Sequence, residues 1–178
     1  LASKVSPYFM SFINPTLNFQ VGNVGDLPLP KLNDELKIKI NKLAQENINI
    51  SKLDWDSFET SWDFKGHPFL RYKIIGEISD AYSNWSQETV NRFAKLKNNE
   101  KVVNSIFINY FGLQEEISSE VEDDEITITV AERERDTKSF LSYFIGCVMG
   151  RYSLDVEGLA YAGGEFDESK YKTFKPNP

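Results

Sequence analysis

The spacing of apolar residues changes period several times along the chain, and each change marks an element. Leu17, Phe19 and Val21 alternate with Asn18 and Gln20, the period of a half-buried strand. Gly22-Asn23 supplies residues suited to a tight turn, and residues 24–27 return as a second strand, so a small hairpin is expected there. Pro7, Pro15, Pro28 and Pro30 exclude a continuous helix over residues 1–30. From Leu32 the period becomes helical: Leu36, Ile40 and Leu43 recur with Lys37, Lys39 and Lys42 between them. This predicts an amphipathic helix of roughly four turns that weakens at Asn47 and Asn49.

Residues 51–72 are aromatic and irregular, with Trp55, Phe58, Trp62, Phe64, Phe69 and Tyr72. Asp54, Asp56 and Ser57 suit the cap of a short helix, and Gly66-His67-Pro68 breaks any helix at that point. The strongest helical pattern follows. Ile78, Tyr82, Trp85, Thr89, Phe93, Leu96, Val103, Phe107 and Tyr110 fall on steps of three, four or seven, predicting a helix from about 79 to 111 that ends at Gly112. Asn98-Asn99 offers a break, with Asn99 capping a second segment; one helix or two remains open at this level. Residues 125–130 alternate strictly and suggest one short extra strand. A last helix is expected from about 131 to 151, charged in its first half and apolar nearly all round in its second, which predicts burial on every side. Residues 155–178 read as turns and a tail.

The expected fold class is therefore mainly α: a helical bundle with a small N-terminal β-hairpin and one short extra strand. Residues 1–30 and 31–178 are the expected domains. The chain begins with Leu1 and ends in Lys-Pro-Asn-Pro, the expectation being a piece of a longer protein.

Charge changes this picture less than the total suggests. The formal net charge is −7, which argues against a non-specific nucleic-acid binder. Residues 112–136 hold ten acids and two bases, so the remaining residues are close to neutral. One cysteine excludes an internal disulfide, and one histidine excludes a His-His metal ligand set. With no signal-peptide pattern and no apolar run long enough for a bilayer, a cytoplasmic chain without a membrane partner is expected.

Candidate chemistry is sparse. There is no glycine-rich phosphate loop, no Cys-x-x-Cys and no surplus of triad members. Asn14-Pro15 begins like the Asn-Pro-Pro-aromatic loop of amino-methylating enzymes but continues as Thr16-Leu17, and reads as a turn. Asp54, Asp56, Glu59 and Asp63 among aromatic residues would suit a carboxylate pair across a sugar, and His67 a general base; caps, packing and a loop hydrogen bond are the simpler readings. Cys147 sits in the most apolar stretch and reads as a small buried hydrophobe. Two groups of lysines, Lys37, Lys39, Lys42 and Lys95, Lys97, Lys101, are candidate DNA-backbone contacts, against the default of a solvated helix face. Ser142, Gly146 and Gly150 sit four apart and form a candidate helix-docking face.

Several collinear segments carry a resemblance. They are the run from Leu17-Asn18-Phe19-Gln20-Val21-Gly22-Asn23 to Pro28-Leu29-Pro30, the stretch Asp54-Trp55-Asp56-Ser57-Phe58-Glu59-Thr60-Ser61-Trp62-Asp63-Phe64 with His67-Pro68, then Phe107-Ile108-Asn109-Tyr110-Phe111-Gly112-Leu113 and Glu134-Arg135-Asp136. The most specific runs from Ser142-Tyr143-Phe144-Ile145-Gly146-Cys147 through Gly150-Arg151-Tyr152-Ser153-Leu154-Asp155 to Gly158-Leu159-Ala160-Tyr161-Ala162-Gly163-Gly164. Together these resemble the adenine-specific DNA methyltransferases of BREX-type phage-defence systems, in the region just after the catalytic core. The resemblance implies a parent that transfers a methyl group from S-adenosylmethionine to adenine in DNA. The cofactor loop and the Asn-Pro-Pro-aromatic loop of that family match no position here, so no catalytic, cofactor or metal residue is carried over. What is implied is a helical spacer leading toward target-recognition parts, touching DNA through the parent. A protein-interaction module, self-associating through the last helix, is the alternative. A small enzyme acting through Asp56, Glu59 or His67 is the third reading.

Overall fold

A computed structural model describes residues 3–16, 18, 20–72 and 77–177. The order of helices is α1 (Val5–Ile13), α2 (Val21–Gly25), α3 (Asp34–Trp55), α4 (Ile78–Phe111) and α5 (Arg133–Val148), with short 3-10 turns at Pro68–Tyr72, Asp123–Glu125 and Glu168–Lys170. The chain divides into two compact units: Leu1–Asn49 with Ala94–Thr127, and Ile50–Phe93 with Ile128–Pro178.

The mainly helical expectation holds, but the hairpin is not seen. Leu17 and Phe19 lie outside the described residues, and Val21–Gly25 is helical. The reason is local hydrogen bonding: Asn23 Oδ1 accepts from the Gln20 amide at 2.9 Å and from Asn14 Nδ2 at 2.9 Å, so the segment closes on itself as a capped turn. The extra strand at 125–130 also forms no ladder. Its alternation survives as burial, with Ile126 and Ile128 inside and Thr127 exposed. The Thr129 amide and hydroxyl instead donate to the two carboxylate oxygens of Asp54, at 3.1 and 2.9 Å. A side-chain acceptor has taken the place of a neighbouring strand.

The helix α3 does not weaken at Asn47 but continues to Trp55. Asp34 and Glu35 in its first turn and Lys52 in its last turn complement the helix dipole. Asp54 and Ser57 accordingly sit at its C-terminal end and not at the start of a new helix; Ser57 Oγ donates back to the Leu53 carbonyl at 2.7 Å. The helix α4 is unbroken over 34 residues, about 50 Å. Asn99 does not interrupt it, because its side chain is turned sideways: Nδ2 donates to Glu46 Oε2 at 2.8 Å and to Asn47 Oδ1 at 2.9 Å, both on α3. Gly112, at φ +69°, ends α4 as expected, with Leu113 N bonded to Ile108 O and Gly112 N to Asn109 O.

In the first unit, Val5, Met10, Leu96, Ile108, Val121 and Ile126 are buried. Phe9 meets Phe111 edge-on at 5.1 Å, and Asn104 Oδ1 accepts the Lys4 amide at 3.0 Å. The face Leu36, Ile40, Leu43 of α3 is half-buried.

In the second unit, Phe64, Tyr143, Cys147 and Tyr152 form one cluster, with Tyr143 and Tyr152 stacked at 4.9 Å. His67 packs edge-on against Phe69 and Phe140 at 4.6 and 5.2 Å. The start of α5 is held by three buried side chains: Asp54 on Thr129, Thr89 Oγ1 accepting the Ala131 amide at 3.0 Å, and Asp136, which takes Trp85 Nε1 at 2.9 Å. The helix is not buried all round. Tyr143, Gly146 and Cys147 face inward, but Leu141, Phe144, Ile145 and Met149 are 52–62% exposed. It ends two residues before Gly150, which has φ +80° and passes Arg151 N back to Gly146 O at 2.7 Å. The residues after 155 are ordered onto this end. Tyr171 donates its hydroxyl to Gly150 O, and Asn177 N to Val148 O at 2.9 Å.

Candidate functional site

The six candidate lysines resolve into two pairs and two outliers. A helix advances about 100° per residue, which places Lys39 and Lys42 about 60° apart and Lys97 and Lys101 about 40° apart. Lys37 and Lys95 fall on other sides of their helices. All six belong to the first unit.

Their partners separate them further. Lys37 Nζ lies 3.3 Å from Asp34, with both side chains largely solvated. Lys95 lies 3.4 Å from Glu46, whose carboxyl is held below the usual range chiefly by its bond from Asn99. Lys97 and Lys101 are bound by the acidic connector itself: Lys97 to Asp123 at 2.5 Å and Lys101 to Glu120 at 2.6 Å. The hydrogen bond it donates to Asp123 raises the Lys97 ammonium above its ordinary value, with Glu122 and Glu120 adding to it. Among the described residues, Lys39 and Lys42 are exposed and have no carboxylate within ion-pair distance.

The candidate helix-docking face lies against the chain's own residues. A Cβ on Gly146 would meet the Tyr152 ring at 2.6 Å, and one on Gly150 would meet Phe166 and Pro176 at 3.3 Å. Ser142 Oγ reaches Glu59 Oε2 at 3.5 Å. The exposed apolar residues are Leu141, Phe144 and Ile145 of α5 and its C-cap Met149, which the small-residue spacing did not single out. Their own spacing of three and four along one helix face is the signal that could have found them.

The carboxylates of the aromatic stretch are each engaged. Asp54 holds Thr129, Asp56 accepts from Ser61 Oγ at 2.6 Å and lies 3.1 Å from Lys52, and Asp63 meets Lys52 at 2.5 Å. Glu59 accepts from the Tyr152 hydroxyl at 3.2 Å. Asp56 and His67 share the wall of an open groove of about 890 Å³, together with the fully exposed Trp62, while Glu59 is not part of that wall. His67 is 3% exposed, and its Nδ1 accepts the Phe69 amide at 3.3 Å. Burial lowers its pKa to about 4, against a smaller upward pull from Asp136. A neutral, packed imidazole of this kind is a poor base at neutral pH. Burial pushes the Cys147 thiol up, which leaves it protonated and unreactive.

Among the described residues, no group of three or more His, Cys, Asp or Glu is arranged to hold a metal ion, and no helix is long and apolar enough to cross a membrane. The arrangement thus leaves Lys39 and Lys42 exposed without an acidic partner and an exposed apolar stripe at Leu141, Phe144, Ile145 and Met149.

No protein-family model matches the chain. It is 44% identical, over 99% of its length, to the adenine-specific methyltransferase PglX of Lacticaseibacillus casei (strain Zhang). It is 36% identical, over 97% of its length, to the adenine-specific methyltransferase BrxX of Escherichia coli O9:H4 (strain HS). The chain spans 15% and 16% of the length of these two relatives. The resemblance to adenine-specific methyltransferases read from the sequence thus extends over nearly the whole chain.

Proposed function

We propose that this chain is a non-catalytic helical segment of an adenine-specific DNA methyltransferase of a phage-defence system, joining the catalytic core to target-recognition parts. The observation that carries the reading is the 44% identity over 99% of the chain to a methyltransferase of which it spans only 15%. The parent would bind S-adenosylmethionine and DNA in the cytoplasm. The methyl donor supplies the transferred group there, and no residue of this segment is assigned to it. The segment's part is that of a helical spacer in the parent enzyme.

Contact with DNA would be limited to the phosphate backbone, through Lys39 and Lys42 on α3. Two phosphate contacts are worth a salt slope of about −2, which is weak binding. Titration calorimetry of the chain with S-adenosylmethionine should give no saturable heat, and the chain should not methylate duplex DNA. Saturable cofactor binding would overturn the non-catalytic assignment.

A second reading is favoured by one observation, the exposed stripe Leu141, Phe144, Ile145, Met149. In that reading α5 pairs with a second copy of the chain. Light scattering over a range of concentrations should then show a dimer that Phe144→Glu dissociates; a monomer at every concentration removes this alternative.

A further inference from the structure

We propose that the acidic turn at residues 120–125 is an internal stand-in for phosphate, withholding Lys4, Lys97 and Lys101 from DNA while Lys39 and Lys42 stay open to it. The inference rests on the reading that this segment touches the DNA backbone.

Three cations are held by three acids of one short turn. Lys4 Nζ lies 2.8 Å from Glu125, Lys97 2.5 Å from Asp123, and Lys101 2.6 Å from Glu120. These are the distances at which a lysine holds a phosphate oxygen. Exposed ion pairs of this sort are individually weak, and a polyanion at low salt would displace them if the turn were free to leave. It is not free, because Val121 is 3% exposed and Ile126 is 8% exposed. These two buried side chains directly follow Glu120 and Glu125 and enclose Asp123 between them, and both belong to the core of the first unit. Glu125 fixes the turn further by accepting the Glu122 amide at 2.7 Å. Burial of the two apolar residues, not the charge pairs, sets the position of the acids. Competing anions therefore face carboxylates that are anchored in place.

The remaining acids of the connector provide the contrast. Glu115, Glu116 and Asp124 are exposed and make no ion pair among the described residues. They contribute the same charge without covering a lysine.

The test is binding of a short DNA duplex, followed by fluorescence anisotropy as a function of salt. Neutralising the covering acids (Glu120→Gln, Asp123→Asn, Glu125→Gln) should tighten binding by at least tenfold at low salt. It should also steepen the salt slope by about 2 to 3, since each phosphate engaged contributes about 0.9. Adding Lys4→Ala, Lys97→Ala and Lys101→Ala should take the gain away. Neutralising Glu115, Glu116 and Asp124 changes the net charge equally and should give much less. Equal gains from the two triple variants overturn the proposal, because net charge alone would then explain both. Asp123→Asn alone removes only a solvated partner and should steepen the slope by about 1, which keeps the test valid if the triple variant unfolds. Suppose the unaltered chain binds DNA through Lys39 and Lys42, losing affinity in Lys39→Ala/Lys42→Ala, while the acid variants gain nothing. The cover is then wrong and the backbone-contact reading stands. If neither the unaltered chain nor any acid variant binds, both are overturned.

Discussion

Trp85 Nε1 donates to Asp136 Oδ2 at 2.9 Å, joining the N-terminal part of α4 to the first turn of α5 inside the second unit. Trp85 is 1% exposed and Asp136 2%. The same carboxylate accepts the Glu132 amide at 3.0 Å and Arg135 Nε at 2.7 Å, so a buried charge has three donors. Removing one donor leaves a buried acceptor short of partners, whereas removing the carboxylate frees three donors at once. Trp85→Phe is expected to cost about 2 kcal/mol or more, and Asp136→Ala about 3–5 kcal/mol. Urea unfolding followed by far-ultraviolet circular dichroism measures both. A loss under 1 kcal/mol for Asp136→Ala would remove this bond from the account of how α5 is held.

Two glycines make opposite predictions. Gly146 lies against the Tyr152 ring, whose Cδ2 would be 2.6 Å from an added Cβ. Gly146→Ala should therefore destabilise by about 1–3 kcal/mol through overpacking. Gly22 is helical with open space around it, and Gly22→Ala should stabilise by about 0.4–1 kcal/mol by restricting the unfolded chain. Midpoints of thermal unfolding moving in the same direction for both variants would contradict this packing picture.

The buried His67 makes stability depend on pH. Its folded pKa of about 4 lies below the ordinary 6.5, chiefly because burial disfavours the charged ring. Between these values the unfolded chain binds the proton and the folded chain does not. The contribution is thus complete above about pH 6.5 and is lost as the pH falls toward 4, on the order of 3 kcal/mol in all. His67→Gln keeps an acceptor for the Phe69 amide but does not titrate. The stability difference between the two proteins should shrink steadily from pH 7 to pH 4. A constant difference over that range would mean the ring is already charged or solvated.

Asn99 is 1% exposed and holds α3 to α4 within the first unit through Glu46 and Asn47. Asn99→Ala leaves those acceptors near solvent and should cost about 1–2 kcal/mol without altering helix content. Asn99→Pro should do far worse, because it removes a helical amide and clashes with the preceding turn. If the two variants behaved alike, the Asn side chain would be marking a break in α4 after all.

Much of this architecture was legible in the order of residues. The steps of three and four between Ile78 and Tyr110 required a helix, and Gly112 marked its end, because periodicity and caps are local. The lysine groups were visible as well, though not their split into pairs, since Lys97 and Lys101 are paired with Asp123 and Glu120, well beyond the reach of a local pattern. The hairpin and the extra strand were misread for one shared reason. An alternating pattern states which side chains turn inward, but not whether a neighbouring strand exists to take the backbone bonds. Asn23 and Asp54 took them instead. The last helix was read as buried all round, yet only one of its faces found a partner within its unit.

By itself the sequence determined the span of α4, the presence of α3 and α5, that the acidity is confined to one connector, and which proteins the chain resembles. The tertiary structure decided where the polar side chains go. Asp54, Asn99 and Asp136 look like helix caps or surface residues in the sequence, and Thr89 is a polar member of the apolar series of α4. Each is buried because its hydrogen-bond partner lies 42 or more residues away. Local patterns record the period of an element, whereas a buried polar group depends on which donor or acceptor the fold brings opposite it.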